Sequence, residues 1–339
     1  MDAQSLLAEL VATPGPAGQE EAVRNVVAKH VNSLGFESTV DAKGNLLVPL
    51  GKESPKVVVT AHLDEIALIV RGIYEDGTLQ VGPLGGIHPW KQGEGPVQIL
   101  AAKGPLTGIL GFGSIHTEDP ASTVRQADDR PLRWDDASVW TGLSASDLIE
   151  AGVRAGTRVV VHPSRRGLVD LGSHLSGYFL DDRADLVAWL LTLGLELGNA
   201  NALFAATAAE EVGGEGAQYL LHRVKPEVVI ALELGPNVPD APIEVSDQPT
   251  VWVQDSFSTL AAADIDWLAG LGHDLGFDLQ FQALSRGGSD ASIAATHGLC
   301  ARGFTLGIPM ENSHGFEIIH RDSMANLARL TQAMVQALG

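Results

Sequence analysis

The sequence predicts an α/β fold: a mixed, largely parallel sheet flanked by helices, interrupted by an inserted small β-barrel domain. Three observations predict it. Short uninterrupted apolar runs such as Lys56–Ala61 (KVVVTA) have the composition of strands buried on both faces. Such runs alternate with segments of helical periodicity in residues 1–70 and again in 172–339, as in a parallel sheet with crossover helices. Between them, residues 71–171 hold short strand candidates separated by glycine and proline, as in a small all-β unit.

The elements follow in order. The first 70 residues read helix, helix, strand. Val23, Val27, Val31 and Leu34 recur at helical spacing, and Gly35 stops the helix. The adjacent acids Glu20-Glu21 read as part of its solvated face. In the middle block, Asp76-Gly77 between Ile66–Tyr74 and Leu79–Val81 is a hairpin signal. Strands are expected at Val97–Ala101, Gly108–Phe112 and Thr157–His162, and an exposed, charged loop at 117–136. Helix Ala184–Leu195 then precedes strand Asn201–Ala206, helix Gly216–Leu221 and strand Glu227–Leu232. Strand Gly303–Ile308 leads to a C-terminal helix whose Leu327, Leu330, Met334 and Leu338 share one face behind an Asp322 N-cap.

Composition narrows the function classes. The 339 residues are 45% hydrophobic and 19% charged, with a net charge of −20. That balance disfavours nucleic acid and anionic membrane as partners and favours cations. No segment approaches the roughly 18 uninterrupted apolar residues of a membrane span. The single cysteine, Cys300, excludes an internal disulfide framework and fits a cytoplasmic protein, and MDAQSLLAEL does not read as a signal peptide.

In an open α/β sheet, ligands bind beyond the carboxyl ends of the strands. The polar residues expected there are His62, Asp64 and Glu65, then Glu210 and Glu211, Glu233, and His314. Asp181-Asp182-Arg183 opens the helix that follows the insert. Imidazole plus carboxylate, without thiolate, suits zinc, cobalt or manganese. The number of such side chains fits a pair of ions sharing a bridging carboxylate. Asp64, two residues beyond His62, is placed to accept the second imidazole N–H. Adjacent carboxylates at a strand end repel each other, and bound cations would offset that repulsion.

Together, AHLDEIALIV, LDDRADL, TAAEEVGGEGA, VVIALELG, RGGSDAS and IPMENSHGFE resemble the tetrahedral (TET) aminopeptidases, of the glutamyl and deblocking aminopeptidase family of dinuclear metallopeptidases. The resemblance runs in order over nearly the whole chain. It implies a zinc-peptidase-like catalytic domain in residues 1–70 and 172–339, with 71–171 as a barrel for dimerisation. It implies a pair of divalent ions, zinc first and cobalt or manganese otherwise. His62 would bind one ion with Asp64 orienting its ring, Asp181 would bridge, and Glu211, Glu233 and His314 would be ligands, with His320 the rival to His314. Glu233 stands where the family usually has aspartate. Glu210 would be the general base for a metal-activated water. Gly288, Ser289 and Asp290 resemble a substrate-binding loop; the residues alone equally allow a tight turn with Asp290 capping a helix. The implied activity is removal of N-terminal residues from peptides with a free N-terminus, by dimers assembled into a tetrahedral dodecamer. The alternatives are a metal-dependent carboxypeptidase or deacylase on the same fold, or a non-catalytic peptide binder.

Overall fold

Every residue of the strand Val57–His62 is buried, which is why its sequence is an unbroken apolar run. The computed structural model describes residues 2–51 and 53–339. The chain forms two units: Met1–Glu65 with Leu168–Ser313 and Glu317–Gly339, and Ile66–Gly167 with His314–Phe316.

In the first unit, Val57–His62 lies between Ala202–Thr207 and Val228–Pro236, parallel to both. Arg302–Glu311 continues the parallel set beyond Val228–Pro236. Antiparallel strands flank it, Leu46–Leu50 on one side and Phe316–His320 on the other, so the sheet is mixed. Among the described residues it has eleven strands, two of which, Thr250–Gln254 and Gln280–Ala283, branch from Arg302–Glu311.

Alternation along the central strand divides the core into two layers. Val57 and Val59 pack with helices Ala3–Ala12, Glu21–Ser33, Leu180–Leu193 and Ser323–Leu338 through Leu7, Leu10, Val27, Trp189 and Met334. Val58 faces the other layer, with Leu220, Leu221, Ala291 and Ala294 of helices Glu215–Val224 and Asp290–Thr296. Helix Glu215–Val224 starts so close to the strand ends that only glycine fits at its second residue. A Cβ on Gly216 would lie 2.2 Å from the Ala208 carbonyl oxygen and 2.4 Å from Asn45 Oδ1. Asn45 ties the two segments together, accepting the Ala208 N–H and donating to the Gly216 carbonyl, both at 2.9 Å. Val228–Pro236 outruns its apolar stretch, so Glu233 lies within the strand, opposite Gly307. Asp322 occupies the N-cap of the C-terminal helix, but its side chain makes no capping bond.

The second unit contains a closed barrel of Ala67–Ile73, Leu79–Leu84, Ser138–Trp140, Leu106–Gly111, Gly95–Ile99 and Arg158–Val161. Every neighbouring pair is antiparallel. Inward residues such as Leu68, Val70, Val97, Ile99, Leu110 and Val139 are buried, and their neighbours point out. The hairpin at Asp76-Gly77 spans residues 74–78, with Gly77 at φ 84 and Asp76 accepting the Thr78 N–H at 2.9 Å. The 117–136 stretch holds a short helix, Thr123–Ala127, and does not stay exposed to its end. Trp134 is buried and donates its indole N–H to the Ile87 carbonyl at 2.8 Å. Among the described residues, no helix is long and apolar enough to cross a membrane.

Candidate functional site

His62 is the last residue of the central strand, paired with Thr207 of the neighbouring strand. On the other side, Ala231 pairs with Thr60, so Glu233 comes level with His62. Helix Leu180–Leu193 brings in the acids: Asp181 and Asp182 have non-helical backbone angles at its start, after Phe179 in the left-handed region at φ 63. The result is a buried group in which one ligand atom each of His62, Asp181, Asp182 and Glu233 lies within 4.8 Å of the others.

These contacts are specific. His62 Nε2 lies 3.1 Å from Asp181 Oδ1, and the His62 backbone N–H donates to Asp182 Oδ2 at 2.6 Å. The Asp181 backbone N–H donates to Glu317 Oε2 at 3.1 Å. Arg183 reaches across to the loop after His62, donating to the Leu63 carbonyl at 2.5 Å and to Glu65 Oε2 at 2.8 Å. Both members of that ion pair are fully buried.

Asp64 does something the sequence did not suggest. Its carbonyl oxygen, at 3.1 Å, is closer to His62 Nδ1 than its carboxylate, at 3.5 Å. The chain leaves the strand at His62, so the same-face geometry assumed for residues two apart does not hold. The carboxylate instead accepts the backbone N–H of Glu210 at 2.9 Å and that of Glu211 at 3.1 Å. Asp64 therefore fixes the turn that carries both glutamates.

The electrostatics call for a cation. Burial pushes Asp182, Asp185, Glu210 and Glu233 well above the usual carboxylate range, and neighbouring carboxylates push each of them further. For His62, burial works downward but is outweighed by Asp182, Asp181 and Asp64, which raise it. Neither Asp182 Oδ1 nor either oxygen of Asp185 receives a hydrogen bond from an N–H or hydroxyl group among the described residues. Asp185 meets Asp182 only as one carboxyl group against another. Buried carboxylate oxygens without donors, beside an imidazole, fit a divalent ion of the zinc, cobalt or manganese type.

In the Gly288-Ser289-Asp290 segment, Ser289 is fully buried and Asp290 is 3% exposed. Ser289, not Asp290, caps helix Asp290–Thr296, in a reciprocal box with Ser292. Gly288 is partly open, and a Cβ there would meet the Phe257 ring at 2.4 Å. Asp290 accepts the Thr207 hydroxyl at 2.7 Å, beneath the Glu210 turn. His314 falls in the second unit, at φ 60, its Nδ1 held 2.8 Å from the Gly86 carbonyl oxygen. His320 packs edge-on against His174, with ring centroids 5.2 Å apart.

Sequence reasoning passed over Asp185, Glu317 and Glu20. Asp185 had a signal: an acid one turn beyond Asp182 in an otherwise apolar helix. Glu20 was read as solvated, but it is 6% exposed and accepts the Gly18 N–H at 2.7 Å.

Asp290 provides a pH test. Burial, opposed by the Thr207 hydroxyl and His62, raises its carboxyl from 3.8 to about 6. A raised carboxyl contributes stability below its unfolded value and loses it as pH rises through the folded value. Chelator-treated protein is expected to lose thermal stability between about pH 4 and pH 6.5, and Asp290→Asn to lose less over that window. Thermal midpoints across a pH series would measure it; parallel curves for the two proteins would rule it out.

Known proteins resemble this chain in sequence and in fold. The chain is 30% identical over 236 residues to the lysyl aminopeptidase of Pyrococcus furiosus, a match covering 68% of this chain and 65% of that protein. The structure of the TET1 peptidase of Pyrococcus horikoshii superposes with a TM-score of 0.86 at 25% identity, covering 98% of this chain and 99% of that one. An aminopeptidase from the archaeon Desulfurococcus kamchatkensis has the same fold, with a TM-score of 0.87 at 24% identity over 99% of this chain and 94% of that one. The family profile for the M42 glutamyl aminopeptidases matches residues 44–330, from the strand before His62 to within the C-terminal helix. The chain belongs to the M42 glutamyl aminopeptidase family.

Proposed function

We propose that this chain is a cytoplasmic metalloaminopeptidase that removes N-terminal residues from peptides, with a pair of divalent ions and Glu210 as general base. The observation that carries this reading is the buried His62, Asp181, Asp182 and Glu233 group within electrostatic reach of a turn whose two glutamates are both fixed by Asp64.

His62, Asp181, Glu211 and Glu233 would hold the ions, zinc first, with Asp181 shared. When bound, the ions supply a Lewis acid for the peptide carbonyl and lower the pKa of water. The remaining work belongs to the chain. Glu317 and Arg183 hold the start of the Leu180–Leu193 helix in place. Glu210, its carboxyl raised by burial and by Asp290, Glu211 and Asp64, is suited to take a proton from the attacking water near neutral pH and return it to the leaving amine.

Assembly follows the relatives in the same spirit: the Pyrococcus horikoshii peptidase is described as forming a tetrahedron or a large octahedral shell. On the barrel's outer surface, Ile109 and Trp140 are cross-strand partners and are 47% and 62% exposed. Such an apolar pair suits contact with a second copy, within a tetrahedral dodecamer.

The test is hydrolysis of a panel of amino-acid p-nitroanilides by protein stripped with chelator and reloaded with zinc, cobalt or manganese. Activity is expected to vanish on stripping and return with metal. Metal-replete protein that is silent on the panel but cleaves N-acylated substrates would replace this reading with the deacylase.

A further inference from the structure

Asn45 stands just before strand Leu46–Leu50, whose antiparallel register pairs Leu46 with Ala206. That pairing brings Asn45 to the point where the neighbouring strand ends and the Glu210 turn begins. The side chain is fully buried, which is costly for an amide unless it is bonded. Its partners fix which way it points, because the Ala208 N–H can only donate while the Gly216 carbonyl and the Asp41 carboxylate accept. Oδ1 therefore faces Ala208 at 2.9 Å, and Nδ2 donates to Gly216 at 2.9 Å and to Asp41 Oδ2 at 2.8 Å. Asp41 is braced in turn, its other oxygen accepting the backbone N–H groups of Lys43 at 2.9 Å and of Gly44 and Asn45 at 3.0 Å.

Ala208 and Gly216 are the two ends of the loop that carries Glu210 and Glu211. The Gly216 N–H closes the loop onto the Ala208 carbonyl at 2.9 Å, and the Glu215 N–H onto the Ala209 carbonyl at 3.1 Å. Lys43 pairs with Glu215, a second tie between the Asp41–Asn45 turn and the far end of the loop. Within it, Ala209 has φ 56, a left-handed conformation that an alanine adopts only when its surroundings impose it. We propose that Asn45 is a positioning residue. By joining both ends of the 208–216 loop to the turn at Asp41, it fixes the direction in which Glu210 and Glu211 leave the backbone, while Asp64 grips the middle of the loop. The assignment rests on Glu210 being the general base and Glu211 an ion ligand.

The test compares Asn45→Ala and Asp41→Ala with wild type, by hydrogen exchange on metal-free protein and by steady-state kinetics at saturating metal. In Asn45→Ala, amide exchange at residues 210, 211 and 216 is expected to rise about tenfold or more, with exchange in the central strands unchanged. Its kcat is expected to fall about tenfold to a hundredfold with KM within about twofold, since displacing a reacting group by about 1 Å costs that much. Asp41→Ala keeps both bonds from Asn45 to the loop and only frees the amide to turn, so it should show the same pattern more weakly. Faster exchange at Ala208 alone, with 210 and 211 still protected, would overturn the proposal, because the bond would then serve only its own partner. So would a wild-type kcat with a loosened loop, or loosening that extends equally to the central strands. Should Asn45→Ala fail to fold, Asp41→Ala decides: wild-type exchange at 208–216 would overturn the proposal. Exchange is read without substrate, so it decides the clamp even if the wild type proves inactive on peptides, which would count against the metalloaminopeptidase reading alone.

Discussion

Replacing Glu210 by glutamine is expected to lower kcat by about 10²–10⁴-fold, the range that a positioned proton-transfer group contributes. KM and bound metal should stay near wild type. Three features of the site lead to that split. The turn is fixed by backbone N–H groups donating to Asp64, and an amide side chain leaves those bonds in place. The buried group of His62, Asp181, Asp182 and Glu233 does not include Glu210, so ion binding does not depend on its charge. Glutamine matches glutamate in size but cannot take a proton. Steady-state kinetics with metal content measured on the same samples would check this. Activity within tenfold of wild type at full occupancy would remove Glu210 from the role of base. Loss of metal in step with activity would instead make it a ligand.

The strand ends were legible because strands buried on both faces read as unbroken apolar runs, and KVVVTA led directly to His62. Glu233 comes level with His62 although its strand runs on to Pro236, because the parallel registration carries through. What remained hidden depended on non-local contacts. Glu20-Glu21 looks the same whether solvated or buried; the bridge from Pro16 to Glu65, far apart in sequence, decides the matter for Glu20. Strand alternation does not apply to Asp64, because the strand ends at His62, two residues before it. The glycine-rich Gly287–Asp290 stretch resembles a binding loop, but the buried hydroxyl pair of Ser289 and Thr305, 2.6 Å apart, anchors it under the sheet end.

The motifs that read separately in sequence meet at Arg183, and its removal is expected to have the largest effect on stability. The guanidinium is fully buried, paired with the equally buried Glu65 at 2.8 Å and bonded to the Leu63 carbonyl at 2.5 Å. Arg183→Met keeps the apolar length of the side chain but leaves the Glu65 carboxylate in the interior without its counter-charge. Breaking a buried pair from one side costs about 3–5 kcal/mol, far more than the net worth of the pair. Arg183→Met is therefore expected to lower the urea midpoint of the metal-free protein markedly. Adding Glu65→Leu should recover a large part of the loss, because an apolar pair carries no stranded charge. Full recovery is not expected, since the Leu63 carbonyl still lacks its donor. A coupling of about 2 kcal/mol or more in the double-mutant cycle would establish the pair as one unit. Additive losses would mean that Arg183 acts through Leu63 alone. The same cycle bears on the site: Glu65 follows Asp64 and Arg183 follows Asp182 directly in the chain. A protein that keeps its fold without this pair is expected still to lose turnover, because the pair adjoins residues on two sides of the candidate site.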